Sequence, residues 1–300
     1  MKVDVSFSFV ELSTGIRMHV ARSGSGAKPP LLLLHGFPEF WAAWADVMPL
    51  LAEDFNLIVP DLRGFNRSDK PAEVREYRAG LIASDLVALM DALGIRSAHV
   101  AAHDWGGAVA WTLALGHPDR VGALGICNAP HPYLFAQALG GNTAQQKASA
   151  YMLWLRKPGS ESALLANDCA LLERFFLGAS PADGTVPAWW TPDRRALYRE
   201  AWTQPGAMLA GTHYYRAAPW VPGQVSAPLD PATFRLSTPT LVVWGEKDEA
   251  LLPVLLEGLE EFVEDLSIQR LPMAGHWLLH EEPEVVATAL RKHFLEHPIT

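Results

Sequence analysis

The chain predicts an α/β architecture in which a long helical insertion interrupts a sheet domain. Three observations carry this expectation. Leu31, Leu32, Leu33 and Leu34 run on without polar alternation, as a parallel strand buried on both faces does. Similar apolar runs alternate with stretches of helical spacing through the first third of the chain and again near its end. From about Tyr133 to about Pro219 the texture is instead helical and aromatic, without convincing strands.

In order along the chain, strand-like runs fall at residues 5–12, 16–21, 30–34, 57–60 and 98–102. Between Tyr77 and Leu93, apolar Leu81, Ile82, Leu86, Leu89, Met90 and Leu93 recur at helical spacing, and Gly94 supplies the stop. Residues 121–127 form another buried strand, ending at Asn128-Ala129-Pro130-His131-Pro132. Residues 219–239 are rich in Pro and turn formers and read as a connector. Strands resume at 240–244 and 267–271, and a last helix runs from near Pro283 to Leu295. Residues 1–132 and 220–300 are thus expected to form the core and 133–219 a helical cap.

Composition narrows the function. A net charge of −9 argues against nucleic acid and anionic membrane surfaces, which call for basic patches. Cys127 and Cys169 each lie in an apolar segment, which suits a reducing compartment better than a disulfide framework. Met1-Lys2-Val3-Asp4-Val5 carries no signal-peptide core, and no apolar stretch approaches the roughly 20 residues of a membrane span. A cytoplasmic enzyme, monomeric or homodimeric, is the expectation. The 11 tryptophans suggest an aromatic-lined interior.

The chemistry centres on Asp104. It stands between an apolar run ending at Ala102 and the small residues Gly106, Gly107, Ala108 and Ala110 that open a helix. One reactive side chain on a sharp strand-to-helix turn is a nucleophile elbow, usually occupied by Ser. A carboxylate there attacks carbon and makes an ester, which water must then cleave. The substrate must carry an electrophilic sp³ carbon with a leaving group, such as an epoxide or a carbon–halogen bond. The competing reading is that Asp104 merely caps the helix.

A nucleophile of this kind needs a base and an orienting acid, in the chain order nucleophile, acid, His. Asp248 lies just beyond the strand at 240–244, at the sheet edge where functional groups gather. His276 follows the last strand in Met273-Ala274-Gly275-His276-Trp277. After the leucine run, Gly36 permits a turn that points the Phe37 N–H inward, and the N–H of Trp105 supplies a second oxyanion donor. His35 has no second ligand at metal spacing and is expected to be structural.

On these residues the chain resembles the α/β-hydrolase fold superfamily, and within it the epoxide hydrolases. The matching segments are His35-Gly36-Phe37-Pro38, Asp61-Leu62-Arg63-Gly64-Phe65, Ser68-Asp69-Lys70-Pro71, His103-Asp104-Trp105-Gly106-Gly107, Asn128-Ala129-Pro130-His131-Pro132, Gly245-Glu246-Lys247-Asp248 and Gly275-His276-Trp277. The resemblance implies a mostly parallel eight-stranded sheet with helices on both faces and an inserted helical cap. It also implies two cap tyrosines that donate to the epoxide oxygen. Tyr151, opening Tyr151-Met152-Leu153-Trp154-Leu155-Arg156-Lys157-Pro158-Gly159, is similar to the first, and Tyr215, in His213-Tyr214-Tyr215-Arg216, to the second. The chain departs from the family at Ala102, where Gly is common, and at Phe40, which is expected to narrow one side of the pocket.

The reaction so implied is hydrolysis of an epoxide to a vicinal diol through an ester on Asp104, cleaved by water that His276 activates with Asp248 behind it. It needs no cofactor or metal, and its partners are an epoxide and water. Trp105, Phe37, Trp154 and Trp277 are expected to line an apolar pocket suited to an aryl or medium-chain alkyl epoxide. Two alternatives stay open: a haloalkane or haloacid dehalogenase using the same Asp104, with the Trp105 indole on the halide, and a non-catalytic ligand receptor.

Overall fold

In the computed structural model, which describes residues 4–177, 186–224 and 228–299, eight strands form one sheet. They are β1 (Ser6–Glu11), β2 (Arg17–Ser23), β3 (Pro30–Leu34), β4 (Asn56–Pro60), β5 (Ala98–His103), β6 (Val121–Cys127), β7 (Thr240–Gly245) and β8 (Leu266–Leu271), in the order β1-β2-β4-β3-β5-β6-β7-β8. β2 pairs antiparallel with both β1 and β4, and every other pair is parallel.

The four leucines of β3 show why no polar alternation was visible. Leu32 and Leu34 enter one core layer and Leu31 and Leu33 the other, all four fully buried. β5 divides in the same way, with Val100 and Ala102 on one side and Ala101 on the other. Exposure is greatest on the edge strands, where Phe7, Phe9 and Ile268 are exposed.

The sheet is flanked by α1 (Met48–Leu51), α2 (Ala79–Ala92) and α3 (Trp105–Gly116). The helix expected to begin near Tyr77 starts at Ala79, after a 3₁₀ turn at Val74–Tyr77, and Gly94 follows with φ +68° as its stop. Six helices then follow: α4 (Pro132–Gly141), α5 (Thr143–Ala148), α6 (Tyr151–Leu155), α7 (Ser160–Leu177), α8 (Pro192–Trp202) and α9 (Ala207–Ala217). Between β6 and β7 no strand occurs among the described residues, so a helical insert interrupts the sheet. α7 is broken where Asn167, Asp168 and Cys169 take left-handed angles. After β8 come α10 (Leu278–Glu281) and α11 (Pro283–Glu296), the latter packed under β6 and β7. Both cysteines are buried and unpaired. No helix among the described residues is long and apolar enough to cross a membrane.

Candidate active site

Asp104 occupies the turn between β5 and α3 with φ +51° and ψ −121°, a strained conformation for a side chain other than Gly. It stands at the N-cap position, yet its carboxylate makes no capping bond. Instead Oδ1 accepts the Phe37 N–H at 2.8 Å. The turn is packed too tightly for larger neighbours. A Cβ on Gly36 would lie 2.2 Å from Asp104 Oδ1, and one on Gly106 would lie 2.5 Å from the His35 carbonyl. Gly36 is therefore required by close approach and not, as the sequence suggested, by its backbone angle; its φ is not among the positive ones. Trp105 opens α3, so its N–H belongs to the unpaired first turn. The Phe37 donor is the one that meets the carboxylate among the described residues.

His276 comes up beside this turn. Its Nε2 lies 3.7 Å from Asp104 Oδ2, and its Nδ1–H donates to Asp248 Oδ2 at 2.7 Å. Burial opposes a charge on His276, but the Asp248 charge and hydrogen bond, with Asp104 and Glu39 beyond, prevail and raise its pKa to about 9. Asp248 is 2% exposed and fully satisfied, since Oδ1 accepts the Ala250 and Leu251 N–H groups, both at 2.8 Å. Its burial would raise its pKa, yet His276, Asn128 and the loop amides hold it below the usual carboxylate range. Asn128 donates to Asp248 Oδ2 at 2.6 Å and accepts the Gly245 N–H at 2.7 Å. The sequence reading quoted Asn128 without giving it a task, although its place at the carboxyl end of β6 was a usable signal. His35 is structural as expected: its Nε2 accepts the Leu62 N–H at 3.0 Å and its Nδ1–H donates to the Gly36 carbonyl at 2.9 Å.

The insert brings two phenols over the carboxylate. Tyr151 opens α6 and Tyr215 lies in α9; their rings meet edge to face with centroids 6.1 Å apart. Burial above all pushes both well above the ordinary phenol range, helped by the Asp104 charge at Tyr151 and by Tyr151 and then Asp104 at Tyr215, so both stay protonated. The Trp105 ring packs edge to face on Tyr215, with centroids 5.1 Å apart. The neighbouring Tyr214 points the other way, and its hydroxyl donates to the Arg63 carbonyl at 2.8 Å.

Two cavities meet at Asp104, Tyr151 and Tyr215. The larger, about 380 Å³, reaches solvent past Phe37, His276, Trp277 and the charged Lys247, Glu249 and Glu281. The smaller, about 40 Å³, is walled by apolar Trp105, Phe135, Met152, Trp220 and Leu251. Trp154, expected in the pocket, lines neither and packs, partly buried, against the core. Phe40 does not narrow either cavity; it is buried edge-to-face on Tyr198. Phe135, Met152 and Trp220 were missed because only the folding of the insert brings them to the nucleophile.

A model of the alpha/beta hydrolase fold matches residues 29–283. The chain belongs to the α/β-hydrolase fold family. This α/β-hydrolase is 34% identical over 276 residues to the AB hydrolase superfamily protein YfhM of Bacillus subtilis, spanning 91% of this chain and 93% of that one. It is 30% identical to human epoxide hydrolase 4, over 91% of this chain and 74% of the relative. Among solved structures it is similar to an epoxide hydrolase of Bacillus megaterium, in a variant bound to its product (R)-3-[1]naphthyloxy-propane-1,2-diol. The TM-score is 0.86 at 29% identity, over 95% of this chain and 99% of that one. The resemblance to epoxide hydrolases is thus borne out at about 30% identity over nearly the whole length.

Proposed function

We propose that the protein hydrolyses epoxides to vicinal diols. The observation that carries this reading is the pair of buried, protonated phenols of Tyr151 and Tyr215 that line both cavities together with Asp104. An epoxide opens when its oxygen receives hydrogen bonds or a proton as the C–O bond breaks, and two phenols do this without competing as nucleophiles.

Phe37 N–H holds Asp104 Oδ1, which leaves Oδ2 free to attack one epoxide carbon. The ring C–O bond breaks, and the oxygen takes a proton from the tyrosine pair. Oδ1 then becomes the ester carbonyl oxygen, already seated on the Phe37 donor that stabilises it as water adds. His276 Nε2 removes a proton from that water as it adds to the ester carbon. The Cγ–Oδ2 bond breaks, the leaving diol oxygen takes that proton back from His276, and the proton left on the new Asp104 carboxyl restores the tyrosine. Alkylation of Asp104 also removes one of the charges that raise His276, so the imidazole becomes easier to deprotonate at the step that uses it as a base.

Dehalogenation through Asp104 is less well supported, because it gives no task to the two phenols that line the cavities beside Asp104. The test is a parallel assay on styrene oxide and 1-bromobutane, following diol and bromide separately. Diol without bromide supports epoxide hydrolysis, and bromide without diol overturns it. His276→Gln should accumulate the ester, seen as the mass of one substrate on the Asp104 peptide.

A further inference from the structure

The mechanism leaves one set of buried ionisable groups without a task. Glu39, 1% exposed, lies behind the elbow. Its Oε2 accepts from His103 Nδ1 at 3.2 Å, and the other ring nitrogen of His103 donates to the main-chain carbonyl of His276 at 2.8 Å. Glu39 Oε1 accepts from His280 Nε2 and from the Tyr198 hydroxyl, each at 2.8 Å. The far side of His280 faces Asp46 at 3.7 Å, and Arg194 grips Asp46 with two bonds of 2.8 and 2.7 Å. Tyr198 and Arg194 belong to α8 of the insert, whereas Glu39, His103, His280 and Asp46 belong to the sheet portion. Trp189 stacks on His280, and the Trp202 indole donates to the Pro38 carbonyl at 2.6 Å. A ladder of alternating charge therefore runs from an insert helix to the backbone of the proposed base.

Such a network is costly to bury and gives no gain in stability over apolar packing of the same volume. We propose that Tyr198 and His280, backed by Arg194 and Asp46, are positioning residues for His276. They fix Glu39, Glu39 fixes His103, and His103 fixes the His276 main chain, so ester hydrolysis runs at full rate only with α8 seated. The inference rests on the assignment of Asp104 as nucleophile and His276 as base. Alkylation depends on the side chains of Asp104, Tyr151 and Tyr215, with Asp104 Oδ1 held by the Phe37 N–H, whereas the ladder ends on the main-chain carbonyl of His276.

The ladder also acts on charge. His276 is faced by Asp248 from the β7 loop, Asp104 from the elbow, and Glu39 and the His103 ring from behind. The donors on Glu39 partly neutralise it. Removing one strengthens its pull on His276 and favours the protonated ring, which cannot serve as a base.

Two measurements test this. Quenched single turnovers of styrene oxide separate ester formation from ester hydrolysis by mass, and NMR of the substrate-free protein follows the titration of the His276 ring. In Tyr198→Phe, hydrolysis should slow by about tenfold while ester formation stays within about twofold. The His276 titration should move to higher pH. His280→Gln keeps an N–H for Glu39 but loses the cation, and should move the titration in the same direction. Equal slowing of both steps, or a titration unmoved in both variants, overturns the proposal. Should the parent protein form no ester, the functional reading fails by itself, and the titration still decides the positioning role.

Discussion

In the proposed reaction Asp104, Asp248 and His276 take different roles because their surroundings differ. Asn128 is the residue whose removal should show this most directly. Asn128→Ala leaves the Gly245 N–H and one Asp248 lone pair without partners in a buried site. Urea unfolding should report a loss of about 2 kcal/mol, the usual cost of stranded buried polar groups. The two adjacent tyrosines should separate as well. Tyr215→Phe removes a donor to the developing alkoxide and should slow ester formation by about 10- to 100-fold. Tyr214→Phe removes only the bond to the Arg63 carbonyl, and should lower stability by about 1 kcal/mol while ester formation continues. Rapid-quench kinetics beside denaturant curves would check both, and the opposite pattern would reassign the phenols.

At the level of elements, the site is a set of loop ends brought together at the carboxyl edge of the sheet. β3 delivers Gly36 and Phe37, β5 delivers Asp104, β6 Asn128, β7 Asp248, and the loop after β8 His276. The junction of the β3 loop with the elbow leaves no room for a methyl group, since Asp104 Oδ1 sits 2.2 Å from where a Gly36 Cβ would be. Gly36→Ala should displace the carboxylate from its Phe37 donor and lower kcat by at least about a hundredfold, the scale of losing one oxyanion donor. Circular dichroism alongside kinetics checks this, because a folded protein with unchanged turnover would contradict the packing argument. A buried bidentate pair ties the β4 loop to α2: Arg63 Nε and Nη2 donate to Asp85 at 2.5 and 2.6 Å. That loop in turn receives Tyr214, which anchors α9 and turns Tyr215 toward the cavity.

For the whole molecule, buried histidines bound the pH range of stability from both sides. His99 and His131 are held near 4, by burial in both cases and by neighbouring His293 and His297 for His99. The unfolded chain takes up these protons first, so their contribution is present above about pH 6.5 and lost as pH falls toward 4. His276 works in the opposite sense. Its pKa is raised to about 9, so its contribution is complete below about pH 6.5 and is lost as pH rises toward 9. Each group is worth up to about 3 kcal/mol. The Tm should therefore peak near neutrality, and His276→Gln should flatten the alkaline limb while the loss of stability toward pH 4 from His99 and His131 persists; a calorimetric pH series would check this.

The sequence alone determined the strands, because runs such as 31–34 and 121–127 have one reading when both faces are buried. It also placed Asp104, Asp248 and His276, the proposed nucleophile, acid and base, at the elbow and two strand ends, because these are local signals. Tertiary structure decided the rest. Trp154 left the pocket, while Phe135, Met152 and Trp220 entered it, because the insert helices pack by shape and share no period that marks the side facing Asp104. Gly36 proved to be a matter of space, since closeness to Asp104 joins residues 68 positions apart. The Glu39–His280–Asp46–Arg194 ladder could not be read at all. Its members are scattered from residue 39 to residue 280, and an ionisable residue gives no sign in sequence of being buried until its partners are in place.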